Sequence, residues 1–111
     1  MENIPFEQFA SVELRAGTVV RAEVFPEARK PAYKVWVDFG EFGVKQTSVQ
    51  ITEHYTVEGL VGKQVVGCLN LGAKKIAGFT SEFLCTGFPD AGGAVVLISP
   101  DQPVPNGVKL F

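Results

Sequence analysis

The stretch Val12-Glu13-Leu14-Arg15-Ala16-Gly17-Thr18-Val19-Val20-Arg21-Ala22-Glu23-Val24-Phe25 alternates over nearly its whole length. Val12, Leu14, Ala16, Thr18, Val20, Ala22 and Val24 share one parity. Glu13, Arg15, Arg21 and Glu23 share the other. A period of two is that of a strand with one face on a core and one in water. The strand is unusually long, and Gly17 gives it a place to bend or bulge. A long, bent first strand is what a small barrel needs to serve both of its sheets.

Downstream, Pro26 to Pro31 is a charged loop carrying Glu27, Arg29 and Lys30. Tyr33 to Phe39 reads as a second strand, Gly40 to Gly43 as a hairpin turn, and Val44 to Ile51 as a third strand. Thr56 can cap a helix of about two turns, with Glu58 in its first turn and Gly62 to end it. Lys63 to Leu71 is a fourth strand and Asn70 to Phe79 a loop bearing glycines and lysines. Thr80 to Phe88 and Ala94 to Ser99 are the last strands, joined by Pro89-Asp90-Ala91-Gly92-Gly93. Three strands, a short helix and two or more strands make the order of an all-β, five-stranded, partly open OB-fold barrel. The helix between strands three and four favours that over an SH3-like barrel or a sandwich.

The ends complete one expected domain over residues 1–111. Residues 1–10 hold a helical turn, with Pro5 suited to a first helical position and Phe6 and Phe9 on one side. Residues 100–111 contain Pro100, Pro103 and Pro105, which exclude a continuous helix. The tail is expected to run extended and docked through Val104, Val108, Leu110 and Phe111.

Composition excludes several functions. The formal charge of −2 sets up no strong field of either sign, so nucleic-acid binding would need a local basic patch. The first ten residues carry Glu2 and Glu7 and no base, unlike a secretory leader. No apolar run approaches the roughly 20 residues of a membrane helix. A cytoplasmic protein without membrane insertion is expected, with Cys68 and Cys85 reduced in the core. His54 is the single histidine, and no Cys/His spacing fits a metal site. No nucleophile elbow, GxGxxG or P-loop is present. No enzyme activity, catalytic residue, metal or cofactor is expected.

Two features remain. Arg29 and Lys30 precede strand two, and Lys74 and Lys75 follow strand four. In an OB barrel those loops rim the binding face. Trp36 points outward beside Lys34, a pairing that suits base stacking, an apolar peptide side chain or a subunit contact.

Asn70-Leu71, Lys74-Lys75, Gly78 and Ser81-Glu82 resemble the tRNA-binding OB domains appended to some methionyl-tRNA synthetases. So do Leu14-Arg15-Ala16-Gly17-Thr18-Val19, Ala22-Glu23, Phe25-Pro26, Ala28, Tyr55 and Gly62-Lys63. The stretch from Phe25 to Lys34 is more closely similar to the CsaA family, the stand-alone dimeric proteins of this group regarded as export-related chaperones. Gly87-Phe88-Pro89-Asp90 and Pro103-Val104-Pro105-Asn106-Gly107 carry the same likeness.

The resemblance implies a homodimer with both termini near the interface. Its first functional implication is a chaperone holding unfolded or exported polypeptide in grooves lined by Trp36 and Phe83, with Asn70, Ser81 and Glu82 fixing polar groups. The alternative is tRNA, with Arg29, Lys30, Lys34, Lys74 and Lys75 on phosphates and Asn70, Ser81 and Glu82 shaping the site. Two departures bear on that choice. The loop Gly72-Ala73-Lys74-Lys75-Ile76 lacks the proline and arginine usual in the tRNA-binding pattern. Phe83 replaces a glycine after Ser-Glu, which is expected to add apolar surface beside the basic loop.

Overall fold

The computed structural model describes residues 1–111. Its elements are α1 (Phe6–Ala10), β1 (Leu14–Val24), β2 (Tyr33–Asp38), β3 (Val44–Val49), α2 (Val57–Leu60), β4 (Gln64–Cys68), β5 (Lys74–Ile76), β6 (Phe79–Ser81), β7 (Leu84–Cys85), β8 (Gly87–Pro89) and β9 (Val95–Leu97). A 3-10 turn over Gly40–Phe42 joins β2 to β3. The main sheet runs β3-β2-β1-β4-β7, all antiparallel, and curls into a nearly closed five-stranded barrel of OB type.

β1 serves both halves of the barrel, as its length requires. Leu14–Thr18 pair with β4, and Thr18–Val24 pair with β2. The irregularity falls between Val19 and Arg21, at Val20, and not at Gly17. This corrects the simple alternation. Val19 is in the core, while Val20 and Val24 are exposed. An extra residue on one strand shifts every later side chain to the other face, so Ala22 packs inward and Arg21 turns out. Gly17 instead makes room. A Cβ there would lie 2.5 Å from Val37 and 2.7 Å from the Phe39 ring, and one at Gly67 would lie 2.7 Å from the same ring. Phe39 thus sits between two glycines, edge-on to Phe83 at 4.9 Å.

Val19, Val35, Val37, Phe39, Ile51, Leu60, Val65, Phe83, Cys85 and Leu97 form the core. Leu60 comes from α2, which is one turn long and shorter than expected, with the Thr56 hydroxyl accepting from the Gly59 N–H. Capping matters here because so short a helix has little stability of its own. Cys68 and Cys85 are buried and unbridged. Burial without a partner charge pushes the Cys85 thiol up to about 12.

Two expected spans resolve differently. Asn70 to Phe79 is not an open loop, since β5 and β6 form a hairpin turning at Ala77 and Gly78, both at positive φ. With both turn residues at positive φ, a two-residue turn matches the right-handed twist of the strands and closes the ladder tightly. Thr80 to Phe88 breaks into β6, β7 and β8, because the chain must cross from the hairpin to the barrel and out to the β8–β9 pair. The tail is extended and docked. Its Gly107 and Leu110 N–H groups donate to the Ala16 and Leu14 carbonyls, and the Ala16 N–H donates to Val108. That half of β1 has no β2 partner, so the tail satisfies its free edge. Glu13 receives Arg15 and Lys109, and Lys109 also reaches the Ala10 carbonyl, which ties both termini to β1.

Candidate functional site

On the outer face of β1 and β2 the register sets Arg21 opposite Trp36 and Glu23 opposite Lys34. The Arg21 guanidinium lies 4.4 Å from the centre of the Trp36 ring. Trp36 meets Phe79 edge-on at 6.0 Å, and Phe79 meets Phe25 at 5.6 Å. The Lys34 ammonium lies 4.7 Å from Phe25 and 5.1 Å from Phe79. Cations over ring faces at these distances are held by the ring quadrupole. Trp36 is half-buried, under Arg21 and Phe79 and not under the tail.

Phe25 opens the loop with Arg29 and Lys30, and Phe79 lies on the hairpin with Lys74 and Lys75. Their contact joins the bases of the two basic loops. All four loop cations are exposed, and none is in an ion pair. Glu27 is the one acid of the first loop.

The polar motif residues are placed otherwise. The Asn70 amide donates to the Ser11 carbonyl and accepts from the Glu13 N–H, holding the lead into β1. The Ser81 hydroxyl accepts from the Ser48 N–H, and the Glu82 carboxylate accepts from the Gln46 N–H. Thr47 donates to the Phe83 carbonyl at 2.7 Å. These bonds close the barrel between β3 and the segment before β7. Asn70, Ser81 and Glu82 are thus occupied in joining strands. Phe83 requires a correction: its ring is 4% exposed and belongs to the core. The segment turns it inward, where an apolar ring is most stable. It floors a groove of about 310 Å³ between β3 and the hairpin, whose walls include Thr47, Ser48, Leu71, Lys74 and Ile76.

A second groove, of about 480 Å³, lies beneath the tail. Ala16, Val66, Ile98, Val104, Val108 and Leu110 line it with Ser99 and Lys109 at its wall, so it is largely apolar. Phe6 on α1 and Phe111 at the tail end are exposed.

His54 is exposed and bonds Asp90 at 2.7 Å. That bond, with the Ala94 and Gly92 N–H groups, holds the Asp90 carboxyl below its ordinary range. The pair fixes the β8–β9 turn, and no nucleophile stands within its hydrogen bonds.

The model of the family described as "Putative tRNA binding domain" matches residues 14–109. The chain belongs to the tRNA-binding domain family. Methionine–tRNA ligase of Methanospirillum hungatei is 37% identical over 107 residues, 96% of this chain and 15% of that protein. The chain therefore spans about one seventh of the length of such relatives. Chaperone CsaA of Bacillus anthracis superposes with a TM-score of 0.93 at 46% identity, covering 99% of this chain and 100% of that one. The CsaA chaperone protein of Picrophilus torridus gives 0.90 at 35%, covering 98% and 100%.

Arg21, Phe25 and Phe79 complete the tRNA-binding domain's cation–aromatic face, and no sequence pattern marks them as site residues. The parity of Arg21 with Glu23 marked it as outward. Its place on Trp36 depends on the bulge at Val20, which carries no sequence signal of its own.

Proposed function

We propose that this chain is a non-catalytic homodimeric binding protein of the CsaA type, working in the cytoplasm, whose outer barrel face binds structured RNA, with tRNA as the favoured ligand. The observation that carries this reading is the meeting of two loops bearing unpaired Arg29, Lys30, Lys74 and Lys75 beside Lys34 and Trp36. Phosphate oxygens are the ligand atoms that such a cluster serves best. A two-fold dimer would double the face and let weak contacts act together on one long ligand.

A second ligand, unfolded or exported polypeptide, is supported by a different surface. The groove beneath the tail is apolar, open, and continuous with exposed Leu110 and Phe111. Part of it serves the dimer contact in this reading, together with α1.

The deciding experiment is tRNA affinity as salt is raised. Contacts to five phosphates give a slope of roughly −3.5 to −4.5 in log K against log salt. Lys74→Ala with Lys75→Ala lowers affinity and slope while leaving binding of an uncharged unfolded peptide unchanged. No tRNA binding at low salt overturns the RNA reading, and suppression of aggregation of an unfolded protein then becomes the activity to measure. A monomer in sedimentation overturns the dimer.

A further inference from the structure

We propose that Arg21 and Lys34, held in place by the row Trp36, Phe79 and Phe25, form a two-cation cradle for successive phosphates of an RNA backbone, and that the row stacks no bases. This rests on the RNA reading above and specifies how the face reads its ligand.

The geometry of Arg21 is the first argument. Its guanidinium carbon lies over Trp36, 4.4 Å from the ring centre. Glu23 accepts from Nε at 2.7 Å and from Nη2. One edge of the fork is thereby fixed, and Nη1 remains to donate outward from a side chain that is 62% exposed. A guanidinium with a fixed plane loses little entropy on meeting a phosphate and matches its oxygens better than an ammonium. Lys34 is the second argument. It lies over two rings and in no ion pair, so its three N–H donors have no anionic partner within the chain. Arg21 and Lys34 are diagonal neighbours on paired strands, about 7–8 Å apart at the backbone. That is of the order of one phosphate step.

The third argument concerns the rings. Stacking needs a free face. Trp36 carries Arg21 over its ring and meets Phe79 nearly at right angles. Phe25 is 2% exposed, and Phe79 is wedged between the other two under Lys34. The aromatic groups orient cations and offer no platform.

The test is fluorescence anisotropy with labelled tRNA across a salt series, using wild type, Arg21→Gln, Arg21→Lys, Lys34→Gln and the Lys74→Ala, Lys75→Ala double variant. A labelled thymidine oligonucleotide is compared with an abasic one of equal length. Arg21→Gln and Lys34→Gln are each expected to weaken tRNA binding about 5- to 10-fold at low salt and to reduce the slope by about one. Arg21→Lys should keep the slope and recover part of the affinity, which also covers the case of a poorly folded Gln variant. The abasic and base-bearing strands should bind equally. If wild type binds no tRNA, the RNA reading falls and the cradle with it. If the lysine double variant weakens binding but Arg21→Gln changes neither affinity nor slope, the RNA reading stands and the cradle is overturned. A clear preference for the base-bearing strand overturns the claim about stacking. Arg21→Gln weakening an unfolded peptide but not tRNA would assign the patch to polypeptide and overturn the proposal.

Discussion

The basic outer face and the apolar groove beneath the tail are built on the two halves of one strand. Before the bulge at Val20, β1 turns Ala16 toward the groove and pairs with the tail. After it, β1 turns Arg21 and Glu23 outward beside Trp36 and Lys34. On the face, aromatic groups are covered by the chain's own cations. In the groove, apolar groups stay open. The difference teaches that one extra residue can hand a single alternating strand to two surfaces of opposite chemistry.

The strongest way to break the comparison is to remove residues 107–111. Three backbone hydrogen bonds to β1 are lost, so stability should fall by about 2–4 kcal/mol. Thermal and urea unfolding would measure this. The apolar groove should disappear while the salt slope for tRNA per protomer stays the same. A changed slope would mean that the two regions are coupled.

Thr47→Val attacks what the regions share. It removes the donor to the Phe83 carbonyl at the barrel seam, which should lower stability by about 1–3 kcal/mol. Alkylation of Cys85 should report it. The thiol, pushed up to about 12, is unreactive while the barrel is closed and should react faster in the variant, with tRNA and peptide binding weakened together.

Ala77→Gly touches the face alone. Ala77 holds φ at 47° in the hairpin turn, a conformation that costs a residue with a Cβ about 1 kcal/mol. Part of that gain is offset by the freer unfolded chain. A rise in stability below about 1 kcal/mol is expected, with slower hydrogen exchange confined to β5 and β6.

Acid touches the other region. Hydrogen bonds from Arg15 and then Lys109 hold the Glu13 carboxyl below its ordinary range. The stability that it contributes is therefore fully present above the ordinary glutamate range and is lost as pH falls through the depressed value. The effect should be small and appear as exchange at both termini, with the β1–β2 face unaffected. Glu13→Gln should abolish that pH dependence.

The barrel was legible because its signals are local. Alternation in residues 12–25, Thr56 and Gly62 around α2, and the glycine-rich turns all specify backbone within a few residues. Trp36 and the loop lysines were legible as candidates because charge and aromatic type can be read directly. Their grouping was not, since Phe25 and Phe79 are 54 positions apart and meet only when the hairpin folds over β2. The structural part of Asn70, Ser81 and Glu82 was hidden for a related reason: a recurring polar motif does not say which backbone groups it meets, and only the folded chain brings them to Ser11, Glu13, Ser48 and Gln46.

The sequence by itself determined the class of fold, the first four strands with the short helix between the third and fourth, the extended tail and the family, because short-range periodicity, turn chemistry and motif spacing are properties of neighbouring residues. Tertiary structure alone decided that Phe83 is core, that Arg21 lies over Trp36 and that the tail lines an open apolar groove. Each of these depends on register and barrel closure, which place residues far apart in the chain within contact and which no local pattern encodes.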